Sequence, residues 1–271
     1  LDCPMSNCPE VQLAGYPIFA PDGKHLIENI APVQDPENGP QNGQQTQFEL
    51  SVVSFEDGTR RSIGQGGIGF WLDNNTYGFS QTSNDGWELI IFPLFQLQPQ
   101  PRVLLREADI LAEIPGHDGT STFLAGNTFA LVDKHELILQ VFVGDEPGAQ
   151  SYLFRIQLTD DLSSVAEIDL VWSGSFSGSI GASPDGRYIV LVDYNNVNET
   201  PHTLLDLETG QLRQPIVSRG YGYGLSWSPD GQWFVQNTDT YVLLHAPAYD
   251  YQHYIPHGLG ECQQIALSVD E

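Results

Sequence analysis

Histidine and tyrosine crowd one stretch of the chain, HAPAYDYQHYIPHGLGEC (245–262). His253 and His257 could share one strand face, with His245 or Asp250 nearby, and imidazole nitrogens bind zinc or copper. Pro256 excludes the helical His-x-x-x-His arrangement, because proline breaks a helix interior. Histidines in an aromatic strand more commonly pack or face solvent, so no metal is assigned. In DYNNVNET (193–200) Asp193, Asn195 and Glu199 alternate as oxygen donors of the kind calcium accepts. The loop glycine and dense acids of an EF-hand are missing. An Asn-rich turn is therefore expected, with bound calcium as the alternative and no other cofactor implied.

Two further stretches suggest chemistry and then withdraw it. GQGGIG (64–69) satisfies Gly-x-Gly-x-x-Gly, which cradles a dinucleotide when a helix follows. Here FWLDNN follows, a strand and a turn, so a glycine-rich passage between strands is expected. GSFSGSIG (174–181) resembles a nucleophile elbow, but Phe176 stands where the serine belongs. No Ser/His/Asp set is identifiable, and the expectation from these motifs is that the chain is not an enzyme. The best candidate for a binding rim is SRGYGYGLSW (218–227), where Arg219 lies beside Tyr221 and Tyr223. Tyr and Arg are enriched at interface hot spots. The competing reading packs these tyrosines into a seam between sheets.

The elements that would position such residues announce themselves through a repeated turn. GLSWSPDGQWFV (224–235), GASPDGRYIV (181–190) and IFAPDGKHLI (18–27) each set Pro-Asp-Gly between two apolar runs. Proline presets the second position of a type I turn, aspartate tolerates the third and glycine suits the fourth. The turn aspartate can accept hydrogen bonds from its own backbone and so hold the hairpin closed. Weaker copies keep Asp73 in FWLDNN and Asp133 in LVDKHEL, and QQIALSVDE (263–271) matches the front half of the pattern. The anchors Asp22, Asp73, Asp133, Asp185, Asp230 and Asp270 are separated by 51, 60, 52, 45 and 40 residues. After each complete turn come a further apolar strand, a polar turn and a short last strand, as in HTLLDLETGQLRQPIV (202–217). Four short strands per unit at this interval predict β-propeller blades. Near-continuous apolar runs such as YIVLVDY fit strands buried on both faces. No stretch shows convincing helical periodicity.

The Ser-Pro-Asp-Gly hairpin followed by LLDLETG resembles the TolB-type, WD-like propeller repeat, over about residues 15–270. That resemblance implies an all-β propeller of four-stranded blades, and the repeats along the chain give five full blades plus a partial sixth. Residues 1–14 form an N-terminal segment that would help close the ring, and 15–271 form a single propeller domain. The resemblance also implies a role as a secreted or periplasmic protein-binding or structural subunit of a cell-envelope or extracellular assembly. Two alternatives stand beside it. One is a propeller enzyme, or the regulatory propeller of a peptidase, with a channel site; the other is a calcium-stabilised adhesive module.

Composition narrows the partners. The chain of 271 residues has 35 acidic against 10 basic residues, a formal net charge of −25. Such a field repels phosphate backbones and anionic membranes, so nucleic-acid binding is not expected and a protein partner is. No apolar run approaches the roughly 18 residues that span a bilayer, so membrane insertion is not expected either. Cys3, Cys8 and Cys262 lie at opposite ends. A staple from Cys3 or Cys8 to Cys262, or a Cys3–Cys8 loop, would suit an oxidising compartment. A chain that starts at Leu1 reads as a processed or excised product.

Overall fold

The Ala20–Gly23 turn closes β1 (Ile18–Phe19) onto β2 (His25–Ile30), with the Gly23 N–H donating to the Ala20 carbonyl at 2.9 Å. The same four-residue closure recurs at Ser183–Gly186 and Ser228–Gly231, each with a 2.9 Å bond from the glycine N–H to the serine carbonyl. The computed structural model describes residues 18–30, 48–67, 69–83, 86–95, 99–117, 123–144, 150–175, 178–193, 199–219, 222–238, 241–249 and 251–256.

These residues build five four-stranded antiparallel sheets, each in sequence order. The first continues from β2 to β3 (Phe48–Ser54) and β4 (Arg60–Gly66). The second holds β5 (Gly69–Trp71), β6 (Thr76–Ser83), β7 (Gly86–Pro93) and β8 (Arg102–Arg106). The third holds β9 (Phe123–Leu131), β10 (Glu136–Val143), β11 (Gln150–Leu158) and β12 (Val165–Gly174). The fourth holds β13 (Gly178–Ala182), β14 (Tyr188–Asp193), β15 (Glu199–Asp206) and β16 (Gln211–Arg219). The fifth holds β17 (Gly222–Trp227), β18 (Phe234–Thr238), β19 (Tyr241–Ala246) and β20 (Tyr251–Pro256). This is the blade pattern of a β-propeller, with the five full blades that the repeat predicts. The sixth element, 263–271 with Asp270, lies outside the described residues, as do residues 1–14 and the three cysteines.

One expectation is corrected: α1 (Glu107–Ala112) follows β8. Six residues are under two turns, too short for a helical period to show. Its start is nonetheless local chemistry, because the Arg106 N–H donates to Asp109 Oδ2 at 2.8 Å, one half of a capping box. Ile110 is fully buried and anchors the turn. A 3₁₀ turn at Pro247–Tyr249 joins β19 to β20. Among the described residues no helix is long and apolar enough to cross a membrane.

By contacts the chain divides into two compact units, Leu1–Leu111 and Ala112–Glu271. In the first, Ile27, Leu50 and Val52 of one sheet pack against Trp71, Tyr77, Phe79 and Phe92 of the next. Fully burying such side chains is worth roughly 1.5–3 kcal/mol each. The Trp71 indole N–H adds a 2.9 Å bond to the Ile18 carbonyl, tying β5 to β1. In the second unit the device is repeated, with Trp227 Nε1 3.4 Å from the Gly181 carbonyl. There Ile138, Leu153, Ile189, Leu191 and Leu205 form one core cluster, and Val190, Leu204, Phe234 and Leu243 another. The apolar run YIVLVDY, read as a doubly buried strand, forms β14, the second strand of its sheet and flanked on both sides, as β10 is in the third sheet.

Candidate functional site

Antiparallel order places the first and third turns of each sheet at the same end, and there the turn aspartates lie. Each spends Oδ1 on the backbone N–H two residues on. The distances are 2.9 Å for Asp22 to Lys24, 2.8 Å for Asp73 to Asn75 and 2.6 Å for Asp133 to His135. They are 3.1 Å both for Asp185 to Arg187 and for Asp230 to Gln232. In four sheets the carbonyl of that second residue then accepts a bond from the last residue of the third strand or the turn that follows it. The donors are Phe55, Leu94, Leu158 and Leu207, at 2.9, 2.7, 2.7 and 2.8 Å. At Ser183 and Ser228 the serine hydroxyl also donates to the turn aspartate. The Ser228 hydroxyl, followed by the Gln232 N–H, holds the Asp230 carboxyl below the usual carboxylate range. Gly231 adopts φ of +68°, the left-handed region, and a Cβ there would also crowd the Asp185 carboxylate of the preceding sheet.

At this end of the first two sheets lies a cavity of about 550 Å³. Asp22, Lys24, Glu56 and Asp57 come from the two turns of the first sheet, His25 and Arg61 from its strands, and Asn75 and Phe95 from the second sheet. Lys24 Nζ pairs with Glu56 Oε1 at 2.8 Å, and that bond raises the Lys24 ammonium above its usual range. The Arg61 guanidinium donates to the Leu94 carbonyl. Asp57 accepts the Thr59 N–H at 3.0 Å and its hydroxyl at 2.8 Å. Those bonds, N–H first and hydroxyl next, hold the Asp57 carboxyl low, so it is ionised at neutral pH. The rings of His25 and Phe95 meet at 4.6 Å, and Phe55 stacks on Phe19 at 6.0 Å. Phe19, Phe55 and Phe95 remain 58%, 52% and 50% exposed. Of the three, Phe95 lines the cavity, and Phe19 and Phe55 form a separate stacked pair on the first sheet.

A second charged cluster belongs to the fourth sheet and is spoken for. Asp206, 2% exposed, lies 3.4 Å from one Arg187 nitrogen and 3.8 Å from one of Arg213. Burial pushes its carboxyl up, but the Thr209 N–H, the Arg187 charge and the Glu208 N–H outweigh it, and the net direction is down. Both guanidiniums lie over the Tyr188 ring, and Arg213 donates to the Pro247 carbonyl at 2.6 Å, joining the fourth sheet to the fifth. These arginines hold the fold rather than await a ligand.

The residues singled out from the sequence are scattered. His253 is exposed on β20 with its ring 6.5 Å from that of Tyr251, whereas His245 is buried in β19. His257, Asp250, Asn195 and Tyr221 lie outside the described residues, and so do the side chains of Asp193, Glu199, Arg219 and Tyr223. Among the described residues no group of three His, Cys, Asp or Glu is arranged to hold a metal ion. GQGGIG runs from the end of β4 into β5, a passage between sheets. The cavity was missed because its lining spans residues 22–95 in separate hairpins. The available signal was Lys24, one of only two lysines, placed directly after a Pro-Asp-Gly turn.

Neither a protein-family sequence model nor a curated protein sequence matches the chain. Solved structures do. TolB from Acinetobacter baumannii is 18% identical at a TM-score of 0.53, over 91% of this chain and 55% of that one. An oligogalacturonate lyase in complex with manganese is 12% identical at 0.58, over 89% of this chain and 65% of that one. An acylaminoacyl peptidase from Pyrococcus horikoshii is 11% identical at 0.58, over 89% of this chain and 38% of that one. The chain thus spans between about a third and two thirds of these proteins' lengths. The fold is a TolB-like β-propeller. The expectation that the chain is not an enzyme is corrected by the same comparison, since a lyase and a peptidase share the fold. The physical reason is that a propeller assembles its sites from loops of separate blades, so a missing linear motif is no argument against catalysis.

Proposed function

We propose that the chain is a protein-binding β-propeller, a secreted or periplasmic subunit of a cell-envelope or extracellular assembly. The observation that carries the reading is the charged cavity of the first two sheets with half-exposed Phe95 in its lining, together with the exposed Phe19–Phe55 pair of the first sheet. Aromatic anchors beside a concave, charged surface are what protein partners engage. The TolB neighbour supports a propeller of this kind, and cysteines confined to the ends support an oxidising compartment. The propeller domain spans 15–271, with 1–14 helping to close it. The 218–227 stretch, with Arg219, Tyr221 and Tyr223, is a second rim of the same molecule.

The test places a photo-crosslinking phenylalanine analogue at position 95 or 55 of the full chain, with the same probe at Leu212 as the control. Leu212 is 49% exposed on the fourth sheet. Irradiation in extract of the source material should give one discrete adduct from positions 95 and 55 and none from 212. Equal adducts at all three positions, or none at 95 and 55, would overturn the reading.

A further inference from the structure

The groups that line the cavity are unequally committed. Its two permanent cations are engaged, Lys24 by Glu56 at 2.8 Å and Arg61 by the Leu94 carbonyl. Beside them the lining offers acceptors and a π face: the carboxylates of Asp22 and Asp57, and the half-exposed ring of Phe95. Asp22 and Asp57 each spend Oδ1 on their own turn, which fixes the carboxylates in place before anything binds. Fixed acceptors beside aromatic faces suit a planar, donor-rich cation better than a compact ammonium, because a guanidinium stacks and bonds two oxygens at once. An anionic group meets three carboxylates here, on a chain whose net charge is −25.

We infer that this cavity takes an arginine side chain presented by a basic segment of the partner protein, its guanidinium between the Phe95 ring and the Asp22 and Asp57 carboxylates. The inference rests on the reading of this end as the docking surface and names what docks. The acidic field supports it independently, since it draws a basic segment inward and raises the encounter rate at low salt.

The test uses the full chain and three fluorescent capped pentapeptides, Gly-Xaa-Gly-Xaa-Gly, with arginine, lysine or citrulline at both variable positions. Citrulline keeps the shape of arginine and removes its charge. Fluorescence anisotropy should show the arginine peptide binding about tenfold more tightly than the citrulline one, with lysine between them. Asp57→Asn and Phe95→Ala should each weaken the arginine peptide several-fold. Asp57→Asn keeps an acceptor for the Thr59 bonds, and Phe95→Ala removes a ring that holds no turn, so a fold defect in one leaves the other decisive. Equal binding of the arginine and citrulline peptides would overturn the inference. So would arginine binding that both variants leave intact, which would be general attraction to the acidic surface. If the crosslinker at position 95 captures a partner while no arginine peptide binds, the docking surface stands and the arginine falls.

Discussion

Asp161, in the turn between β11 and β12, gathers three donors on one carboxylate oxygen. They are the Ser163 hydroxyl at 2.7 Å, the Thr159 hydroxyl at 2.8 Å and the Ser163 N–H at 3.0 Å. With the Ser163 hydroxyl the largest influence, they lower its carboxyl from 3.8 to about 2. A carboxyl held lower in the folded state than in the unfolded one stabilises above its unfolded value, and that stability is lost as pH falls through the folded value. Asp161→Asn should therefore lower the melting temperature at neutral pH. The gap to the parent should close between about pH 4 and pH 2. A gap that stays constant across that range would remove the carboxylate from the account. At this scale the turn aspartates were legible, because Pro-Asp-Gly and its hydrogen bonds are confined to a few consecutive residues. The cavity was not, because Lys24, Asp57 and Phe95 meet only once three hairpins have formed.

The strands explain the glycines that motif reading could only set aside. A Cβ built on Gly69 would lie 2.0 Å from the Gly78 carbonyl oxygen and 2.9 Å from Tyr77 Cζ. Both neighbours belong to β6, whose Tyr77 and Phe79 fill the core between the first two sheets. A backbone oxygen cannot step aside as a side-chain tip can, so Gly69→Ala must separate β5 from β6. We expect it to cost about 1–3 kcal/mol, read as a lower denaturant midpoint at an unchanged slope. An unchanged midpoint would mean that β5 relaxes freely. The sequence showed that no helix follows this glycine run, and hence no phosphate cradle. It could not show why glycine is needed, since the clash is with a strand that begins seven residues later.

For the molecule as a whole, the repeat interval was the most legible feature, because a sheet that buries both faces against its neighbours writes itself into the chain as a period. The one long interval, 60 residues between Asp73 and Asp133, holds α1, and the boundary between the two compact units falls within that helix. A period predicts neither. A net charge of −25 spread over the whole chain sets its response to salt. Self-repulsion destabilises a compact acidic chain, and screening within a Debye length of about 3 Å at 1 M relieves it. The melting temperature should rise between about 0.01 and 0.5 M sodium chloride, and a fall would mean that pairs such as Arg155–Glu136 dominate instead.

The turn clamp has a corollary for how such a chain can diversify. The residue two places after each turn aspartate works for the fold through its N–H, and in four sheets through its carbonyl as well. The turn itself asks nothing of its side chain, although that of Arg187 is separately committed to Asp206 and Tyr188. Those five positions hold Lys24, Asn75, His135, Arg187 and Gln232, five different chemistries on one interchangeable mount. At the positions other than Arg187 each turn is thus a socket that mutation can rewrite while the sheet beneath keeps its register.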